Sequence, residues 1–405
     1  MKIAVLTSGI LPIPAVKGGA VENLIDFYLE YNERHRLHDI TVYSVGDKLT
    51  AGHQALQSEV NHYRYIEIWS PWAKIRKRIY KWSHPQQQYF HYTIEYYLER
   101  ALSDIARKNY DVVILENRPA YSLKVAGRTR ARLVCHLHND FLNADTPEAL
   151  PIYNALSRVI TVSDFIASRV RTLETGGGTK CVTVKNAINR EAFTNPTADG
   201  PTRQDLGLLP TDFVLAYSGR INAEKGIAQL VQAMTLIKDA RDVKLLVMGG
   251  SFFGDNVSDD PFISRLKQQA AQLEGRITFT GFVPYHRIPA YLRLADAAII
   301  PSQWEEPFGL TCLEAMAAGR PIIASRRGGI PEVLHDEYAI LLPAHGGDKE
   351  EDFVAQLASA ILNLQHHPDI CKRMGAAALA ASLQYDKNQY AQQFFNALEP
   401  LKPHQ

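Results

Sequence analysis

Two glutamates with seven residues between them, Glu306 and Glu314, bracket the stretch that can do chemistry in this chain. An apolar run, Ala297 to Ile300, reads as a buried parallel strand, and a polar loop follows it. Pro307 suits the first turn of a helix because it has no N–H to lose, and Gly309 permits close backbone approach by a ligand. From Leu310 to Ala318 the residues are mostly strong helix formers, and Gly319 followed by Pro321 stops the helix. The amino end of such a helix carries unpaired N–H groups and the positive end of the dipole, so it welcomes an anion. A carboxylate would not touch that anion, since two like charges at ~4 Å cost about 4 kcal/mol at an effective dielectric of 20. Each glutamate is better suited to accept hydrogen bonds from neutral hydroxyls beside it. A phosphate flanked by polyols on both sides answers that description, which is a nucleotide sugar.

The string E-P-F-G-L-T-x-L-E-A-M-A-A-G-x-P-I-I-A, running from Glu306 to Ala324, resembles the signature of retaining family 4 glycosyltransferases of the GT-B fold, of the bacterial polysaccharide and glycolipid type. The resemblance implies that Glu314 holds the nucleotide ribose, that Glu306 lies near the donor sugar, and that the backbone of Gly309, Leu310 and Thr311 meets the diphosphate. Ser218-Gly219-Arg220-Ile221-Asn222-Ala223-Glu224-Lys225-Gly226 resembles the family's second motif, in which Arg220 and Lys225 would grip the diphosphate and neutralise it as it leaves. Gly18 and Gly19 match the family's donor-facing loop, although G-x-G-x-x-G is absent and a lone Gly-Gly says little. His138, in His136-Leu137-His138, matches the family's donor-sugar histidine. Phe282 and Val283 stand where the family's backbone meets the nucleobase, and Gly328-Gly329-Ile330-Pro331-Glu332 matches its G-G-x-P-E loop. Asn186-Ala187-Ile188-Asn189 departs from the usual Asn-Gly-Val-Asp.

Apolar runs at Lys2–Thr7, Ile40–Val45, Asp111–Leu115, Leu133–Leu137 and Val159–Val162 must position these residues in the first half of the chain, with Phe213–Tyr217, Val243–Gly249 and Arg276–Thr280 in the second. Helical segments lie between them, beginning with Ala20 to Glu33. That alternation specifies an α/β protein. The expected fold is two Rossmann-like, doubly wound domains facing across a cleft, as in GT-B. The acceptor-side domain would span 1–193 with a crossover helix at 385–400, and the nucleotide-sugar domain 204–384, joined by the Pro- and Thr-rich Thr194–Arg203. A length of 405 residues agrees with two domains, and a net charge of +1 argues against a nucleic-acid partner.

Met1 to Val16 is apolar, but Lys2 is its one basic residue and Pro12 and Pro14 interrupt it, so a buried strand and loop fit better than a signal peptide. No stretch is long enough to span a bilayer. The four cysteines form no zinc spacing and read as reduced core residues in a cytoplasmic protein. No fourth ligand accompanies His136 and His138, and no D-x-D occurs, so neither a metal nor another cofactor is implied. Gly176-Gly177-Gly178-Thr179-Lys180 lacks P-loop spacing and reads as a turn.

Between Trp69 and Trp82, the residues Trp72, Ile75, Ile79 and Trp82 fall within a helical arc of roughly 80°, while Lys74, Lys77, Arg78 and Lys81 take the other side. Either the stripe packs on its own core or the helix docks peripherally on the inner face of the cell membrane. The function expected is retaining transfer of a sugar from a UDP-sugar to a saccharide or lipid-linked acceptor in cell-surface polysaccharide or glycolipid synthesis. Two alternatives stay open: an epimerase on the same scaffold, and a non-catalytic surface or coat protein of this fold.

Overall fold

The structure, a computed structural model, describes residues 1–68, 70–83, 92–174, 179–195, 200–250, 261–343 and 350–401. Trp69, the glycines 176–178, and the loop at 251–256 lie outside the described residues, as do the side chains of Lys77 and Lys81. The chain divides into two compact units, one made of Met1–Asn186 with Lys387–Gln405 and the other of Ala187–Asp386. The division therefore falls at Asn186–Ala187, ahead of the Pro- and Thr-rich stretch.

The first unit is built on a parallel sheet. Its strands are β1 (Lys2–Leu6), β2 (Asp39–Val45), β3 (Asn61–Ile66), β4 (Val112–Glu116), β5 (Arg132–Leu137), β6 (Arg158–Thr161) and β7 (Cys181–Thr183), in the order β3-β2-β1-β4-β5-β6-β7. The second carries β8 (Phe213–Ser218), β9 (Val243–Met248), β10 (Ile277–Gly281), β11 (Ala297–Ile300), β12 (Ile322–Ser325) and β13 (Ala339–Leu342), in the order β10-β9-β8-β11-β12-β13. All the paired strands run parallel. Both units are Rossmann-like and doubly wound. In such sheets successive crossovers run outward one way, then the other, and a crevice opens at the carboxyl ends where the order reverses. That point lies between β1 and β4 in the first unit, and between β8 and β11 in the second.

The central strands are apolar along their whole length because helices cover both faces. In β4 all five residues, Val-Val-Ile-Leu-Glu, are buried, and so are Ala-Ala-Ile-Ile of β11. Each fully buried Val, Leu or Ile contributes roughly 1.5–3 kcal/mol of transfer free energy. The helix Lys387–Leu398 packs in the first unit, where Phe394 stacks on Tyr28 of the helix Ala20–His35 with ring centroids 4.4 Å apart. The sequence reading missed two edge strands, β3 and β13. In β3, Asn61 alone of Asn-His-Tyr-Arg-Tyr-Ile is buried, and the strand has one pairing partner among the described residues, so it lacks the apolar run that marks a central strand. Pro307 also needs correction. The helix begins at Leu310, with Gly309 as its cap at φ 91°, so Pro307 lies in the loop before it and not in its first turn.

Candidate active site

The second unit gathers its chemistry where β8 and β11 diverge. Past β8, the chain turns through Ala223–Lys225, and the Asn222 side chain accepts a hydrogen bond from the Lys225 N–H at 3.1 Å. Past β11, Gln303 N–H donates to the Glu224 carbonyl at 2.7 Å, tying the two loops together. The ammonium of Lys225 lies 2.6 Å from Glu306 Oε1 and 5.0 Å from the Trp304 ring centroid. Ser302 Oγ donates to the same Oε1 at 2.7 Å, while Oε2 of this buried glutamate has no donor among the described residues.

The G-G-x-P-E loop holds Glu306 from behind. Gly328 N–H donates to Glu305 Oε2 at 2.6 Å, and Gly329 N–H donates to the Glu306 carbonyl at 2.7 Å. A Cβ on Gly328 would stand 2.1 Å from that carbonyl oxygen, at a φ of 54°, so any side chain there would push the Glu305–Glu306 backbone away.

Next along the chain is the helix Leu310–Ala317, whose Leu310 and Thr311 N–H groups find no acceptor among the described residues. Glu314 lies on its second turn, buried and with no hydrogen-bond partner among the described residues, and burial pushes its carboxyl up to about 7. Two buried carboxyls thus flank an open amino end, one anchored by a lysine and one awaiting donors. Arg220 follows β8 with an exposed side chain, and its guanidinium makes no hydrogen bond or ion pair among the described residues. The structure therefore brings Lys225 to Glu306 but does not draw Arg220 into the same cluster. Phe282, exposed, and Val283, buried, follow β10, two strands from β8 in the sheet order.

In the first unit the corresponding point lies at the ends of β1, β4 and β5. Gly18 and Gly19 lead into the helix Ala20–His35, both with positive φ. The helix's amino end is not bare. The Glu22 carboxylate folds back so that its Oε2 would lie 2.2 Å from a Cβ on Gly19, and burial pushes this carboxyl up to about 7 against the pull of its own backbone N–H. His138 follows β5, its N–H donating to Asn117 Oδ1 at 3.1 Å. Its ring sits 4.1 Å, centroid to centroid, from that of His136, so the two imidazoles do share one side of the strand end.

Both rings converge on a residue that the sequence reading passed over. Glu116, the last residue of β4 and fully buried, has Oε2 at 3.0 Å from His136 Nδ1 and 3.0 Å from His138 Nε2. Its Oε1 accepts from the Tyr28 hydroxyl at 3.0 Å. Although burial alone would raise it, the neighbouring His136 and hydrogen bonds from both imidazoles hold the Glu116 carboxyl down at about 2. By residue type these three could share a cation, one ligand atom of each lying within 4.8 Å of the others, and in the structure both imidazoles are hydrogen-bonded to the one carboxylate oxygen. The signal in the sequence was a carboxylate closing an otherwise apolar buried run, twenty residues before a His-x-His.

The helix Pro71–Ser83 carries the stripe on an exposed face. Trp72 is 75 % exposed, Ile75 52 %, Ile79 59 % and Trp82 87 %, so these four do not pack inward, and Ala73 is buried instead. Lys74 and Arg78 are exposed on the same helix. Among the described residues, no helix is long and apolar enough to cross a membrane.

Residues 200–379 match the family described as Glycosyl transferases group 1. The chain is 27 % identical to "Spore coat protein SA" of Bacillus subtilis (strain 168), over 83 % of this chain and 84 % of that protein. It is 30 % identical to the "Lipopolysaccharide 1,2-N-acetylglucosaminetransferase" of Salmonella typhimurium (strain LT2), over 56 % of this chain and 57 % of that one. Among solved structures, Anabaena Alr3699/HepE in complex with UDP and glucose superposes with a TM-score of 0.73, at 21 % identity, covering 99 % of this chain and all of that one. The architecture is the GT-B fold.

Proposed function

We propose that this chain, a glycosyltransferase whose group 1 domain spans residues 200–379, moves a sugar from a UDP-sugar to a saccharide or lipid-linked acceptor with retention of configuration. One observation carries the reading: two buried carboxyls, Glu306 and Glu314, flank a helix amino end whose first N–H groups have no acceptor among the described residues. Carboxylates accept hydroxyls and bare N–H groups accept phosphate oxygens, so the set suits a diphosphate with a ribose on one side and a sugar on the other. Glu314 would take ribose hydroxyls, and Oε2 of Glu306 a hydroxyl of the donor sugar.

Lys225 has three N–H bonds and gives one to Glu306, which leaves donors for a diphosphate oxygen. As the glycosidic bond breaks, negative charge grows on the departing UDP. Lys225 and the N–H groups at Leu310 and Thr311 would stabilise it without rearranging, and Arg220 would add its charge once its exposed side chain turned to the diphosphate. The acceptor would attack from the face the nucleotide leaves, its proton passing to the departing phosphate. His138 would contact the donor sugar, and Gly18 and Gly19 would admit the diphosphate. No cofactor is called for in this scheme. The likeness to a structure in complex with UDP and glucose supports uridine as the base, and the lipopolysaccharide transferase supports a surface-glycan acceptor. The Trp-flanked basic helix fits peripheral contact with an anionic inner membrane face, where lipid-linked acceptors would be met.

The test is to incubate the protein with UDP-sugars and follow free UDP. Release supports transfer or its hydrolytic side reaction, isomerised sugar supports an epimerase, and neither supports a coat protein without turnover. Glu306→Gln should abolish release while UDP still binds.

A further inference from the structure

Glu116 occupies a costly position. A carboxylate in the middle layer of a parallel sheet loses several kcal/mol of hydration unless its oxygens are satisfied. Here they are, by Tyr28 on Oε1 and by His136 Nδ1 and His138 Nε2 on Oε2. An ionised carboxylate only accepts hydrogen bonds, so each imidazole nitrogen facing it must carry a hydrogen. In a neutral ring the other nitrogen is then bare. His138 is neutral, because burial and the neighbouring His136 push its pKa down to about 4.

The two rings differ in what surrounds the nitrogen that faces away from Glu116. His136 lies within β5, wholly buried, its ring 5.1 Å from that of Phe394 and 6.5 Å from that of Tyr390. His138 lies just past the strand, at the sheet's carboxyl edge beside the crevice between β1 and β4. Its Nδ1 is buried and has no hydrogen-bond partner among the described residues. The Nε2 of His136 is likewise buried without a partner among the described residues, and each such nitrogen costs about 1–3 kcal/mol; of the two, that of His138 stands past the strand end, where a ligand hydroxyl would offset the cost.

We infer that Glu116 is a positioning residue that fixes His138 in the Nε2–H tautomer, so that its bare Nδ1 accepts a hydrogen bond from a hydroxyl of the donor sugar. This rests on the proposed transfer reaction for the identity of the hydroxyl, but not for the tautomer. The opposite tautomer would present an N–H to the same place and suit a ligand carbonyl or phosphate oxygen instead.

The test begins with ring-nitrogen NMR of the full chain labelled with 15N-histidine and free of substrate, with His138 assigned by its loss in His138→Gln. A protonated Nε2 and a bare Nδ1 are expected. Glu116→Gln replaces one acceptor oxygen by a donor, so it should leave His138 in a mixed or inverted tautomer. That variant should keep UDP affinity within about twofold while its turnover of the UDP-sugar falls at least tenfold. Tyr28→Phe, which leaves Oε2 in place, should keep the wild-type tautomer and mark the loss as specific to the histidine contact. A wild-type His138 protonated at Nδ1 overturns the inference whatever the protein transfers, as does stoichiometric metal in the purified protein or unchanged turnover in Glu116→Gln. The expected tautomer in a chain that turns over no UDP-sugar overturns the transferase reading instead.

Discussion

Glu314 offers the sharpest test of where the nucleotide sits. Burial lifts its carboxyl from 4.5 to about 7 in the free protein, and among the described residues it has no donor to offset that burial. A ribose diol that donates hydrogen bonds to this group binds only the ionised form. If binding restores the ordinary value, the gap between about 7 and 4.5 at about 1.4 kcal/mol per pH unit amounts to roughly 3 kcal/mol of linkage. The sign follows directly. A carboxyl raised in the folded state stabilises the free protein below 4.5, and that stabilisation is lost as pH rises through about 7. Ligand affinity runs the other way, because protons compete with the diol. Calorimetric titration with UDP-glucose, whose diphosphate has no group titrating near neutrality, should show affinity rising up to tenfold per pH unit from pH 5 towards 7 and then levelling.

Glu314→Gln should flatten that profile. At pH 8 it should bind UDP-glucose about 10- to 150-fold more weakly, the worth of a hydrogen bond to a charged group at about 1.5–3 kcal/mol. In thermal or urea unfolding at pH 8 the free variant should be more stable than wild type, by up to roughly 3 kcal/mol, with the advantage fading towards pH 5. A wild-type affinity that is flat across this range, or a slope that survives in Glu314→Gln, would refute the assignment of this carboxyl to the nucleotide.

Three further outcomes can be checked separately. Lys225→Met removes the cation facing Glu306 and should lower turnover about 10²–10³-fold, read as UDP release at saturating donor. Gly328→Ala forces a Cβ against the Glu306 carbonyl at a left-handed φ and should cost about 2–4 kcal/mol in urea unfolding, with activity falling beyond the loss of folded protein. Wild type should co-sediment with anionic vesicles at low salt and release as salt rises, each basic residue near the surface being worth about 1 kcal/mol; Trp72→Ser with Trp82→Ser should not bind. Equal binding by the double variant would remove the membrane from the account.

What the sequence disclosed and what it hid divide along a physical line. Strands such as β4, β8 and β11 were legible because a run buried on both faces is apolar throughout, and the helix after Gly309 was legible from its formers and stops. β3 was not, since an edge strand need bury little and spells no pattern. The partnerships were hidden for a different reason: they are long-range. Lys225 meets Glu306 across 81 positions, and Tyr28 meets Glu116 across 88. Residue type and local spacing name the groups able to pair, and the sheet order alone decides which do. The fold-back of Glu22 over Gly19 is a local exception that spacing could have suggested, because a glutamate in the first turn of a helix can reach its amino end.

The two units also separate two carboxylates that composition treats alike. Each unit has a glutamate where its strand order reverses, Glu116 closing β4 and Glu306 in the loop after β11, and each is held by a donor reaching over from the far side of the crevice, Tyr28 in one case and Lys225 in the other. The number of donors sets their roles apart. Both oxygens of Glu116 are taken, so it can act only through the histidines it orients. Among the described residues, Glu306 has both its donors on Oε1 and leaves Oε2 open, so it can still receive a ligand hydroxyl. Replacing either by glutamine should therefore act differently. Glu306→Gln keeps an acceptor oxygen but sets an amide against Lys225 or the sugar, weakening the direct contact. Glu116→Gln never touches the sugar and can change turnover only by moving a proton on His138.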